Sequence, residues 1–88
     1  MKAIKDSVAG SLESSDVLVT LRPSSEAAVS LQVESIVMKQ YGRRITAVAE
    51  DLVAATGLSG ATLRIQDRGA LECTLRARLE TAIARATA

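Results

Sequence analysis

In the segment AVSLQVESIVMKQYGRRITAVAEDLVAATG, residues 28–57, the spacing of the apolar side chains changes part-way, and that change restricts the folds open to the chain. As far as Val33 they alternate, with Val29, Leu31 and Val33 on one side, the pattern of a strand with one buried face. From Ile36 onward the period lengthens. Val37, Tyr41, Ile45, Val48, Leu52 and Ala55 recur every three or four residues and form one stripe of an amphipathic helix. Ser35 is placed to cap this helix and Gly57 to stop it. Gly42 inside it costs about 1 kcal/mol relative to alanine and is read as a point of close packing or a tolerated defect.

Strand periodicity also governs the residues upstream. Val8, Gly10 and Leu12 point one way, while Val17, Val19 and Leu21 alternate with Leu18, Thr20 and Arg22. Between them ESSD, Glu13–Asp16, has the short polar side chains of an exposed hairpin turn, with Ser14 and Ser15 at its tip. Arg22-Pro23-Ser24-Ser25 ends the second strand, because proline cannot donate to a ladder. Downstream, GLSGA (57–61) is a helix-to-strand turn and ATLRIQ (61–66) a fourth strand with Ala61, Leu63 and Ile65 on one side. The turn DRG (67–69) leads into a second helix whose stripe is Leu71, Leu75, Leu79, Ile83 and Ala86. The expected architecture is α+β, a two-layer sandwich with a small, mostly antiparallel four-stranded sheet and two helices on one face, in the order β-β-β-α-β-α. The 88 residues suffice for one modest core, so residues 1–88 are expected to form a single domain.

Composition removes several function classes. Apolar residues make up 48% of the chain and charged residues 24%, the mix of a folded globule. Tyr41 is the only aromatic residue and the net charge is +1, which leaves neither a stacking platform nor a strong field for nucleic acid or an anionic membrane. A single Cys73 permits no internal disulfide. With neither a signal-length apolar run nor a membrane span, the chain is read as soluble and cytoplasmic. It contains no histidine, which removes the Ser-His-Asp triad and the histidine-containing zinc sites. No phosphate-binding glycine loop is present. Glu13 and Asp16 on an exposed turn lack the desolvation that would make an acid and base pair of them. Cys73 is read as a small buried hydrophobe. The arginines Arg43, Arg44, Arg76, Arg78 and Arg85 share their helices with Glu50, Asp51, Glu72 and Glu80, giving an ion-paired face; a protein-docking, regulatory or nucleic-acid-binding face is the weaker alternative. A serine without a base makes functional sense chiefly as a point that another enzyme modifies. On composition alone, a plain surface turn is the simpler reading.

Three runs shift that balance: AGSLESSDV (9–17), SIVMKQYG (35–42) and above all DRGALECTLRARLETAIARA (67–86). In this order, and across nearly the whole chain, they resemble the acyl carrier protein (gamma subunit) of citrate lyase. The resemblance implies a carrier with no catalytic residues. Its serine, here Ser14 with motif neighbours Glu13 and Asp16, carries a phosphoribosyl dephospho-coenzyme A group through a phosphodiester. Where the family often has glycine after that serine, this chain has Ser15. The resemblance further implies that acetyl and citryl thioesters are held on the arm while an alpha acyl transferase and a beta citryl lyase convert citrate to acetate and oxaloacetate. A prosthetic-group transferase and an acetylating ligase are implied as further partners. Arg22 and the second-helix arginines are candidates to meet the arm's phosphates. The carrier subunit of malonate decarboxylase, with the same type of group on a comparable serine motif, is the nearest alternative.

Overall fold

Ala61, Leu63 and Ile65 alternate with Thr62, Arg64 and Gln66 to make a strand with one apolar face. In the computed structural model, which describes residues 1–36 and 38–88, that strand lies inside the sheet. The elements are β1 (Ser7–Gly10), β2 (Val17–Pro23), β3 (Val29–Ser35), α1 (Met38–Thr56), β4 (Ala61–Asp67) and α2 (Glu72–Thr87). Across the sheet the strands run β1-β2-β4-β3. β4 is antiparallel to β2, with Val19 opposite Ile65, and parallel to β3, with Leu31 opposite Leu63. β1 is antiparallel to β2. The sheet is therefore mixed, with two antiparallel pairs and one parallel pair. The parallel pair is the one joined through a helix, because a parallel connection must carry the chain back to its starting end.

Val17, Val19, Leu21, Leu63 and Ile65 on the sheet are wholly buried. Ile45, Val48, Ala49 and Leu52 of α1 and Leu75, Leu79, Ala82, Ile83 and Ala86 of α2 complete the same core. α1 lies along β3, and α2 lies along β1 and β2. The other sheet face presents Arg22, Gln32 and Arg64 to solvent. The expected element order, α+β class and one-sided helix layer are all found.

Several faces differ from the expectation. In β1 the inward residues are Ser7 and Ala9, whereas Val8 is 50% exposed. Alternation tells which residues share a face but not which face is covered. Here α2 crosses β1 over small side chains, and the Ser7 hydroxyl donates to the Ala82 carbonyl at 2.6 Å, which satisfies the buried polar group. On α1 the buried stripe is centred on Ile45, Val48, Ala49 and Leu52; Tyr41 and Ala55 are exposed, and Val37 lies outside the described residues. Ser35 is the last residue of β3, and its hydroxyl donates to Asp67 at 2.8 Å. Gly57 does end α1, at φ +68°. Leu71 precedes α2 and is 71% exposed, and Cys73 is exposed rather than buried.

Candidate functional site

The hairpin expected between the first two strands is formed by residues 11–16. It begins at Gly10, with φ +92° and the Val17 carbonyl oxygen 1.8 Å from where a Cβ would stand, so only glycine fits. The Asp16 amide donates to the Glu13 carbonyl at 3.1 Å and closes a β-turn with Ser14 and Ser15 at its centre. Ser15 has φ +64°, and among the described residues it is the one non-glycine at positive φ. A negative φ followed by a positive one is the type II pattern, which favours glycine at the second central position.

Asp16 holds this turn together. Its Oδ1 accepts from the Val17 amide at 2.7 Å and from Arg78 Nε at 3.2 Å. Its Oδ2 accepts from the Ser11 hydroxyl at 2.7 Å and from Arg78 Nη2 at 3.2 Å. The forked guanidinium contact ties the turn to α2. The Ser11 hydroxyl first, then the Val17 amide and Arg78, hold the Asp16 carboxyl down at about 2. Asp16 is less exposed than the rest of the turn, with its side chain 17% exposed, and hydrogen bonds rather than desolvation set its acidity. The direction favours the ionised form, which removes Asp16 as a proton donor near neutral pH.

A second clamp comes from the loop after β4. The Ser15 amide donates to the Arg68 carbonyl at 2.8 Å, and the Arg68 amide donates to the Asp16 carbonyl at 2.9 Å. That loop is fixed by Asp67, a buried carboxylate that accepts from Ser35 Oγ at 2.8 Å, the Gly69 amide at 3.2 Å and the Ala70 amide at 3.0 Å. The sequence carried a signal for Asp67, since an aspartate two residues before glycine commonly closes such a turn. It carried none for Arg68 or Arg78.

Ser14 and Glu13 remain. Both are exposed, and neither the Ser14 hydroxyl nor the Glu13 carboxylate has a hydrogen-bond or ion-pair partner among the described residues. The Ser15 hydroxyl is likewise exposed and without a partner among the described residues, so the turn offers two adjacent accessible alcohols on a fixed backbone, without a base to activate either. Of the second-helix arginines the fold brings Arg78 to the turn, on Asp16, whereas Arg85 bonds the Val8 carbonyl at 2.8 Å and Arg76 pairs with Glu72 at 3.5 Å. Arg44 also bonds Glu72, at 2.5 Å, and chiefly through that contact holds its carboxyl below the usual range. Arg22 lies on the open sheet face near Thr20, Gln32, Thr62 and Arg64. It is about 20 Å along β2 from Asp16, so the fold does not bring it to the turn.

The pattern of the family described as malonate decarboxylase delta subunit matches residues 4–86. Citrate lyase acyl carrier protein 2 of Salmonella paratyphi A is 48% identical over 86 residues, covering 98% of this chain and 89% of the relative. The citrate lyase acyl carrier protein of Streptococcus mutans is 47% identical over 79 residues, covering 90% and 78%. This chain belongs to the citrate lyase acyl carrier protein family. Membership in the citrate lyase acyl carrier protein family marks it as a carrier subunit, and a carrier implies a covalently attached prosthetic group. The fold extends further. A chain in the crystal structure of a Pseudomonas malonate decarboxylase hetero-tetramer in complex with malonate matches with a TM-score of 0.83 at 25% identity, over 94% of this chain and 84% of that one.

Proposed function

We propose that residues 1–88 form one acyl carrier domain of citrate lyase, holding acetyl and citryl thioesters on a phosphoribosyl dephospho-coenzyme A arm joined through a phosphodiester to Ser14. The observation that supports a serine of this turn is that Ser11 and Asp16 are committed to hydrogen bonds, while the hydroxyls of Ser14 and Ser15 are exposed and without a partner among the described residues. Between these two, the resemblance favours Ser14, with Glu13 before it and Asp16 two positions after it. A bulky diester fits at that position because nothing packs on it. Bound there, the group would supply a terminal thiol on which acyl units are held as thioesters.

The chain's own contribution is mechanical. The Asp16–Arg78 clasp and the Ser15–Arg68 bond fix the base of the arm, so that the arm's own length sets the volume searched by its end. Tethering makes each encounter with a partner's active site intramolecular, at an effective concentration set by the arm. The partners on this reading are the alpha acyl transferase, the beta citryl lyase, the prosthetic-group transferase and the acetylating ligase. The reading places this work in the cytoplasm; no described helix is long and apolar enough to cross a membrane.

Intact-mass analysis with peptide mapping tests the site on protein made beside the enzymes that synthesise and attach the group. A mass increase confined to a Ser14 peptide and absent from Ser14→Ala is expected. Modification that persists in the mutant would move the site to Ser15, and an unmodified wild type would end the carrier reading. The second reading, a malonate decarboxylase carrier, is favoured by the matching family pattern and the hetero-tetramer fold. Reconstitution separates the two, since release of carbon dioxide from malonate without oxaloacetate from citrate would reverse the choice.

A further inference from the structure

Beside the Ser14 turn the surface opens into a cleft of about 280 Å³ between α1 and the loop leading into α2. Tyr41, Ile45, Ala70, Leu71 and Leu75 give it an apolar lining, and Arg44 and Glu72 stand among its polar residues. It lies at the end of the sheet where the parallel strands β3 and β4 both finish and both helices begin. Open sheets place ligands outside the carboxyl ends of such strands. Leu71 and Tyr41 are both exposed although apolar, and Ile36, also exposed, has its Cδ1 3.9 Å from where a Cβ on Gly69 would stand. Three large apolar side chains gathered around one cleft are more than scattered surface residues.

We propose that this cleft is the resting site of the aliphatic, amide-containing arm carried on Ser14. The inference rests on the attachment reading given above. Continuity with the turn selects this occupant. The loop that lines the cleft at Gly69–Leu71 is the loop whose Arg68 is bonded to Ser15 and Asp16. From Arg68 to Leu71 the chain takes three Cα steps, at most about 11 Å, well within the reach of a coenzyme A-type arm. The chemistry also matches. An alkyl chain with a thioester gains from apolar walls, while the arm's amides need donors and acceptors at the rim. α2 starts at the cleft without a side-chain cap, which leaves its first amides as donors, and Arg44 and Glu72 add a cation and a carboxylate. An arm held there keeps its thioester out of water between visits to the partner subunits.

The test compares apo and arm-bearing protein in a Cys73→Ser background, so that the arm carries the only thiol. Intact mass first establishes the arm on Ser14. Docking predicts methyl and amide chemical-shift changes at Ile45, Gly69–Leu71 and Leu75, with nuclear Overhauser contacts between the arm and the Leu71 and Leu75 methyl groups. It also predicts that iodoacetamide alkylates the arm thiol about five-fold more slowly than free coenzyme A, the ratio for an arm docked about four-fifths of the time. Leu71→Glu, at an exposed position that does not endanger folding, is expected to restore the free rate. Shift changes confined to residues 12–17 together with alkylation at the free rate would overturn the docking site while leaving the attachment intact. An unmodified Ser14 would overturn the attachment, and the docking site with it.

Discussion

Ser15 shows how a single position can be visible in the sequence while its meaning is not. The resemblance set glycine against serine there, and the structure supplies the cause, a left-handed backbone at the second central position of the turn. A non-glycine in that region is strained by about 1–2 kcal/mol, whereas glycine costs about 0.5–1 kcal/mol in unfolded-chain freedom. Ser15→Gly is therefore expected to change the stability to urea by between zero and about 1.5 kcal/mol in the favourable direction, with Ser14 modified as before. Gly10 tolerates no such exchange. A methyl group there meets the Val17 carbonyl oxygen at 1.8 Å, so Gly10→Ala should lose more than about 2 kcal/mol and slow prosthetic-group attachment by displacing the turn. The three serines and two carboxylates were legible as a turn from their composition. The clasp that orders them was not, because Arg78 lies 62 residues from Asp16 along the chain and no local pattern links the two.

The elements themselves were legible wherever one face is covered by a continuous neighbour. β2 and β4, each flanked by strands on both sides and roofed by helices, show clean alternation, and their buried residues are those expected. In β1 Val8 and Gly10 share a face as expected, but it is the exposed one, and the small residues Ser7 and Ala9 face α2. α1 failed in phase at its first turn, where Tyr41 extends the helical period but lies beyond the sheet. A stripe drawn by spacing alone gives Tyr41 and Leu79 equal standing as core residues. The structure separates them. Leu79 is wholly buried and Tyr41 is 53% exposed. Leu79→Ala should cost about 2–5 kcal/mol in equilibrium unfolding, and Tyr41→Ala should stay within about 0.5 kcal/mol of the parent.

Taken whole, the molecule has two unlike ends, and acid should act on one of them first. At the end away from the turn, the first residues are stitched down by backbone bonds, with the Ser59 amide on the Met1 carbonyl at 2.8 Å and the Ala3 amide on the Ser59 carbonyl at 3.1 Å. Those bonds contain no titrating carboxylate. At the turn end, Asp16 and Glu72 bind the turn and α1 to α2, and both are more acidic in the folded chain than a free carboxylate. The unfolded Asp16 takes up its proton near pH 3.9, whereas the folded one resists to about 2. Below about pH 5 the unfolded chain therefore binds more protons than the folded one, and stability must fall as the pH drops through that interval. Above it, Asp16 is ionised in both states and its contribution is complete. Urea unfolding at pH 7, 5, 3.5 and 2.5 should show little change due to Asp16 between the first two and a progressive loss across the last two. In Asp16→Asn the stability at pH 7 should be lower and the loss on acidification smaller, because the asparagine keeps the shape of the clasp but neither its charge nor its proton linkage. An acid slope unchanged in that variant would mean that the Asp16–Arg78 clasp does not couple the turn to the fold in solution.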